Sequence, residues 1–275
     1  MNYHILTLFP DMFDSYFDES IIARARESKI ISINTYNIRD YSTDKNRKVD
    51  DRPFGGGPGM VMAVDPVIRS IDDVIGKIEK KYQKDVIKYE KAIEKYKTKL
   101  EENKLKKVSK PEKVIKPKIK VVMFSPGGIS FDTSIAKEAV NSYTDIIFIC
   151  GRYEGVDSRV IDICNDNKLD ISEWSVGSYV LTGGELAAMI CVDSISRQVS
   201  SVLGKYESLE EERVSSHKMY TRPPVYEYKK KVINKKETNS KKENSTNAKI
   251  KKYSVPEVLM SGNHKLIDEW KNNSK

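Results

Sequence analysis

Three short glycine-bearing turns hold the residue types best suited to chemistry in this 275-residue chain. They read Ser125-Pro126-Gly127-Gly128, Gly151-Arg152-Tyr153-Glu154-Gly155 and Val180-Leu181-Thr182-Gly183-Gly184, and each follows a strand-like run and precedes a helical pattern. Glycines permit positive φ and close backbone approach, so such turns offer a ligand N–H groups rather than charged side chains. A fourth segment, 52–60 (RPFGGGPGM), packs four glycines and two prolines into nine residues and cannot be regular structure. It is either a purely structural turn or a loop that touches a ligand or a polymer backbone. No Gly-Lys-Ser/Thr follows, so it is not a Walker A phosphate loop.

Other chemistries find little support. No G-x-G-x-x-G fingerprint and no hydrolase triad pattern occurs, which argues against a dinucleotide enzyme or a serine hydrolase. His4, His217 and His264 are too scattered to form a metal cage, and no divalent ion is indicated. Cys150, Cys164 and Cys191 lack C-x-x-C spacing and read as reduced, buried thiols of a cytoplasmic protein. Beyond Arg197 the chain is rich in carboxylates, at Glu207 and at 210–212.

The elements that must position the turns form an α/β pattern. Strands are expected at 3–9, 30–36, 118–124, 145–150 and 178–181, and helices at 11–28, 64–76, 133–140 and from Glu185 onward, where Leu186, Met189, Ile190 and Val192 recur at three- and four-residue spacing. The runs KIKVVMF and DIIFIC are continuously apolar, as in strands of a parallel sheet covered on both faces. Ligands bind beyond the carboxyl ends of such strands, so the three turns are expected to outline one pocket.

Between these elements lie two basic segments. Residues 77–120 hold 17 Lys against 7 acids and residues 229–252 hold 10 Lys against 2, which leaves a net charge of −10 for the rest of a chain whose total is +8. In the first, Tyr82, Val86, Tyr89, Ile93, Tyr96 and Leu100 step by four and three, a narrow apolar stripe ended by Pro111 and Pro117. It reads as an inserted helical arm with a solvated charged face, or as an arm whose lysines meet RNA phosphates. The second is low in complexity and expected to be disordered. No apolar run reaches membrane-span length and the start reads as a strand, not a signal peptide, so no membrane association is expected.

Six motifs in order carry a resemblance: DDRPFGGGPGM (50–60), Ser-Pro-x-Gly (125–128), GRYEG (151–155), SVGSYVLTGGEL (175–186), YTRP (220–223) and LMSGNH (259–264). Together they closely resemble the bacterial tRNA (guanine-N1)-methyltransferases of the SPOUT superfamily. The resemblance covers about 1–76, 118–228 and 253–270 and implies a parallel sheet with a deep trefoil knot, a small, mostly helical C-terminal domain and a homodimer. It implies a catalytic domain over 1–203, with the Lys-rich insertion at 77–118, then a linker over 204–219 and a tRNA-contacting domain over 220–275. The implied cofactor is S-adenosylmethionine, on Met123, Phe124, Ser125, Pro126, Gly151, Tyr153, Glu154, Val176, Gly177, Ser178, Tyr179, Val180, Leu181, Gly183 and Ala187. Asp50, Arg52, Gly55 and Gly59 would face the RNA. Glu212 would stand for the family's linker aspartate, the base contributed across the dimer, and Arg197 for the arginine that steadies charge on the guanine O6.

The implied reaction is methylation of N1 of the guanine 3′ of the anticodon, position 37, in tRNA. The alternatives are a non-catalytic RNA-binding relative and a related SPOUT enzyme with another RNA target. The chain departs from the pattern in four places. Glu212 is one methylene longer than the family's aspartate, and the match could slip to Glu211. Ser178 replaces an aspartate, and the stretch between Glu212 and Tyr220 is roughly four residues short. Only five residues follow Trp270, so helices that hold the tRNA arm are expected to be missing and the Lys-rich segments to replace them in part.

Overall fold

The computed structural model describes residues 1–101, 109–203, 218–229 and 250–273. They belong to two compact units, Met1–Gly204 and Lys205–Lys275.

The first unit opens with β1 (Asn2–Thr7), a 3-10 turn (Pro10–Phe13), α1 (Asp14–Phe17), α2 (Ser20–Glu27) and β2 (Ser32–Asn37). The single helix expected over 11–28 is thus broken, with Ser20 in the left-handed region at φ 56°. A second 3-10 turn (Ile38–Tyr41) leads to the two-residue strands β3 (Asp50–Asp51) and β4 (Val61–Met62), which pair antiparallel. Then come α3 (Val64–Glu101), β5 (Ile119–Ser130), α4 (Thr133–Ser142), β6 (Asp145–Ile149), α5 (Arg159–Asp166), β7 (Asp170–Ser175) and α6 (Glu185–Gln198). The five longer strands form one sheet in the order β2-β1-β6-β5-β7, and every neighbouring pair is parallel. This is the α/β architecture that the continuous apolar runs pointed to.

The reason those runs do not alternate is visible in the core. On β6, Ile146 and Phe148 join a cluster with Tyr3, Ile5, Val122 and Trp174, packed against α2, α4 and α6. Ile147 and Ile149 point the other way, into a cluster with Leu6, Val121, Met123, Val67, Ile71 and Val74 of α3. Both faces of the strand are buried, so both must be apolar.

Two further expectations need correction. The third strand end does not lie at 178–181: those residues are loop, with Tyr179 and Val180 exposed, and the strand is Asp170–Ser175. This edge strand reads as polar because Asp170 and Ser172 hold the buried Lys120 of β5, at 2.5 and 2.7 Å from its Nζ. The helix starting at Val64 also does not stop at Gly76. It runs on through the Lys-rich segment for 38 residues, about 57 Å at 1.5 Å per residue.

In the second unit, β8 (Val225–Lys229) and β9 (Ile250–Ser254) pair antiparallel, followed by α7 (Glu257–Met260) and α8 (His264–Asn273). Among its described residues the unit thus adds a strand pair to its helices, since VYEYK and IKKYS carry aromatic and β-branched residues suited to strands. Lys229 and Ile250–Lys252 of the stretch expected to be disordered lie in these strands, and 230–249 lie outside the described residues. No helix among the described residues is long and apolar enough to cross a membrane.

All three cysteines are free and buried. Burial pushes the Cys164 thiol up to about 11 and those of Cys150 and Cys191 up as well. A thiolate-directed reagent at pH 8 should therefore leave the native protein unlabelled and modify three cysteines in urea, as read by intact mass; fast native labelling would contradict this packing.

Candidate functional site

The carboxyl ends of the three adjacent strands β6, β5 and β7 open onto a cleft of about 390 Å³, a volume suited to a small-molecule ligand. Each wall is shaped by a glycine turn. In β5 the register against β7 slips, so that Phe124 and Ile129 both face Trp174 and residues 125–128 loop out into the cleft wall. Gly128 lies so near β7 that a Cβ there would fall 2.7 Å from the Glu173 carbonyl.

After β6 the chain enters GRYEG, with Tyr153 left-handed at φ 59°. The Glu154 N–H donates to the Met60 carbonyl (3.0 Å) and the Met62 N–H to the Gly155 carbonyl (2.9 Å). These bonds lace the cleft wall to the glycine-rich 52–60 loop. The Glu154 side chain lies directly over Gly59, where a Cβ would sit 2.3 Å from Oε1.

After β7, residues 176–184 fold back over the ends of β5 and β6. There the Gly184 N–H donates to the Gly151 carbonyl at 2.9 Å, and a Cβ on Gly184 would lie 2.7 Å from the Cys150 Cα. The three turns therefore converge, as their strand-end positions suggested. Of the residues expected to touch a cofactor, all except Ser178 line this cleft.

A buried ion pair that the sequence did not announce stands behind one wall. Glu185, in the first turn of α6, is 1% exposed. Thr7, at the end of β1, donates from Oγ1 to its Oε1 at 2.8 Å. Arg152 Nε donates to the same Oε1 at 3.1 Å and lies 3.0 Å from Oε2, which has no hydrogen-bond partner of its own among the described residues. The Arg152 guanidinium stacks 4.5 Å over the Phe9 ring and donates from Nη1 to the Thr182 carbonyl at 3.3 Å. Glu185 thus ties β1, GRYEG and the Thr182 turn together. Its helix-start position is legible in the sequence, but its partner 178 residues earlier is not.

The remaining expected residues are dispersed. Asp50 is held in β3 opposite Met62, while Arg52, Gly55 and Gly59 sit on the exposed loop with Phe54, which is 99% exposed. Arg197 occupies the last turn of α6, ten residues after Ala187, about 15 Å farther along the helix axis. It does not line the cleft of its own chain, and its Nε is buried with no hydrogen-bond partner among the described residues. Glu212 lies outside the described residues. No group of three His, Cys, Asp or Glu among the described residues could hold a metal ion.

Two substitutions probe this construction. Gly184→Ala forces a methyl into the Cys150 backbone and should cost about 1–3 kcal/mol of stability, and Glu185→Gln, which leaves Arg152 without its counter-charge, should cost a similar amount. Both would appear as lower urea midpoints at unchanged slope, whereas Gly76→Ala, where a Cβ meets nothing, should not destabilise.

Comparison with known proteins follows the same line. The sequence profile of the family described as tRNA (Guanine-1)-methyltransferase TrmD matches residues 1–115 and 97–275. A tRNA (guanine-N(1)-)-methyltransferase of Clostridioides difficile (strain 630) is 38% identical over 98% of this chain and 90% of its own length. Those of Clostridium botulinum (strain Hall) and Carboxydothermus hydrogenoformans are 39% and 35% identical, again over 98% of this chain and over 85% and 81% of theirs. A profile that accounts for both parts of the chain, and relatives alike along nearly its whole length, make it a member of the tRNA (guanine-1)-methyltransferase family of enzymes.

Proposed function

We propose that the protein transfers a methyl group from S-adenosylmethionine to N1 of the guanine immediately 3′ of the anticodon, position 37, in tRNA. The observation that carries the reading is the cleft itself, built at three glycine turns in a chain of this family. Its chemistry suits the donor: Phe124, Val156, Ile161 and Leu181 supply apolar surface for an adenine, and the turns supply backbone donors and acceptors. When bound, S-adenosylmethionine brings a sulfonium methyl open to in-line attack, so the chain's task is positioning.

Guanine N1 carries a proton at neutral pH, and Glu212 is the carboxylate assigned to remove it. Arg197 is assigned to donate to O6, where charge builds as the N1 proton leaves. Arg197 lies about 15 Å along α6 from its own cleft, and on this reading it serves the cleft of a second copy. The face of α6 that leads to it supports this. Leu186 and Ile190 are 50% and 43% exposed and share a helix face with Asp193, to which the exposed Tyr16 donates at 2.6 Å. Such an apolar face suits a two-fold partner.

The return of 176–184 across the strand ends accords with a trefoil knot, and the exposed Phe54 on its glycine loop accords with contact to a nucleic-acid base. The second unit is assigned to hold the tRNA, and the enzyme to act in the cytoplasm. Ser178, where the family has aspartate, is not among the residues that line the cleft.

The test is transfer of label from S-adenosylmethionine to tRNA transcripts with the guanine at position 37 present or replaced. Label on the first alone is expected; label on both, or on neither, overturns the reading. The shared site has its own test. Glu212→Gln and Leu181→Trp chains should each be inactive, yet after mixing and reassociation recover roughly a quarter of wild-type activity, because half the pairs then hold one intact site. No recovery would place the whole site within one chain.

A further inference from the structure

The continuous helix α3 gathers most of its lysines on one face, with Lys80, Lys97 and Asp85 outside the sorting. At 100° per residue, Lys77, Lys81, Lys84, Lys88, Lys91, Lys95 and Lys99 fall within an arc of about 80°. The half-buried Tyr82, Val86, Tyr89, Ile93 and Tyr96 form a second stripe, and Glu79, Glu90 and Glu94 a third on the opposite side of the lysines. A helix that merely needs solubility intersperses opposite charges at i,i+4. This one keeps seven cations in a row about 33 Å long, with a cation roughly every 5.5 Å. None of the ion pairs among the described residues involves Lys81, Lys84, Lys88, Lys91 or Lys95.

The returning chain repeats the arrangement. Pro111, Val114 and Pro117 are half-buried while the residues between them are exposed, a period of three like that of a polyproline-type strand. Val114 and Pro117 share a depression with Tyr82 of α3, and Lys110, Lys113 and Lys116 form an exposed basic edge at the same period. Outside the two Lys-rich segments the chain carries a net charge of −10, so its body repels the polyanion it is proposed to modify. The family profile matches in two pieces that overlap at 97–115, within this arm.

We infer that the lysine row of α3 is a docking strip for the phosphodiester backbone of the substrate tRNA, at a part of the molecule remote from the methylated base. The helix begins beside the cleft, where Met62 bonds Gly155. By Lys81 it has reached the depression it shares with Met1 and Asn2, at the amino ends of the strands. The strip therefore lies about 25–50 Å from the cleft along α3. An RNA that fills the cleft must be longer than an anticodon stem-loop to reach it. The inference rests on the tRNA reading above.

The test uses the full chain with Lys81, Lys84, Lys88, Lys91 and Lys95 all changed to Gln, which keeps the helix propensity. Affinity is measured between 50 and 200 mM KCl for a full-length tRNA transcript and for its anticodon stem-loop. For the full tRNA the slope of log K against log salt should fall by about 2–4 and affinity at 100 mM KCl by at least tenfold. Stem-loop affinity and the KM for S-adenosylmethionine should not change, and neither should full-tRNA binding by the Glu79→Gln, Glu90→Gln, Glu94→Gln triple variant. An unchanged slope for the full tRNA overturns the inference, as does an equal loss for the stem-loop. Methyl transfer to the stem-loop by the lysine variant separates this failure from failure of the methyltransferase reading.

Discussion

The hydrogen bond from the Gly184 amide to the Gly151 carbonyl is the contact on which the cleft depends. It joins the chain leaving the edge strand β7 to the end of β6, two strands away across β5. That crossing is closed only because no side chain stands at Gly184, where a Cβ would strike the Cys150 Cα, or at Gly128, where it would strike the Glu173 carbonyl. Glycine is required here for room rather than for an unusual φ, since neither residue has a left-handed backbone. Backbone laid against backbone leaves a pocket lined by peptide groups and apolar side chains, together with Arg152, Glu154 and Glu173.

From that junction α6 carries the constraint outward. Its first turn buries Glu185 against Thr7 and Arg152, and near its end the Ser196 hydroxyl donates to the Tyr3 hydroxyl at 3.0 Å. Both ends of the helix are therefore pinned to β1, one at each end of the strand. Arg197 follows Ser196 directly, so its placement is fixed by the same register that fixes the cleft. A helix held this firmly keeps its last turn away from its own cleft, and the Arg197 Nε there is buried with no hydrogen-bond partner among the described residues.

What could be read from the sequence follows from how local each feature is. The continuous apolar strands KIKVVMF and DIIFIC were legible because burial on both faces removes polar residues. The glycine turns were legible because few other residues fit such close approaches. The strand DISEWS was not, since its Asp170 and Ser172 answer to Lys120, fifty residues away. SYVL reads as strand because apolar residues that wall a cleft look like residues that fill a core. The Arg152–Glu185–Thr7 network joins three distant points of the chain, and no periodicity encodes that.

The distribution of charge completes the picture. Arg152, a cation on the cleft wall, is neutralised by Glu185, so the pocket offers no surplus positive charge to attract an arbitrary phosphate. The free lysines stand instead on α3, beyond the far end of the sheet. On the proposed reading, affinity from counterion release and selection by shape and hydrogen bonding then act at separate places. Random RNA held along the arm gains nothing at the cleft, and a base entering the cleft gains little from the arm unless the rest of its molecule has the length to span both. Selectivity in such an arrangement comes from the distance between two modest sites, which the unbroken helix α3 holds constant.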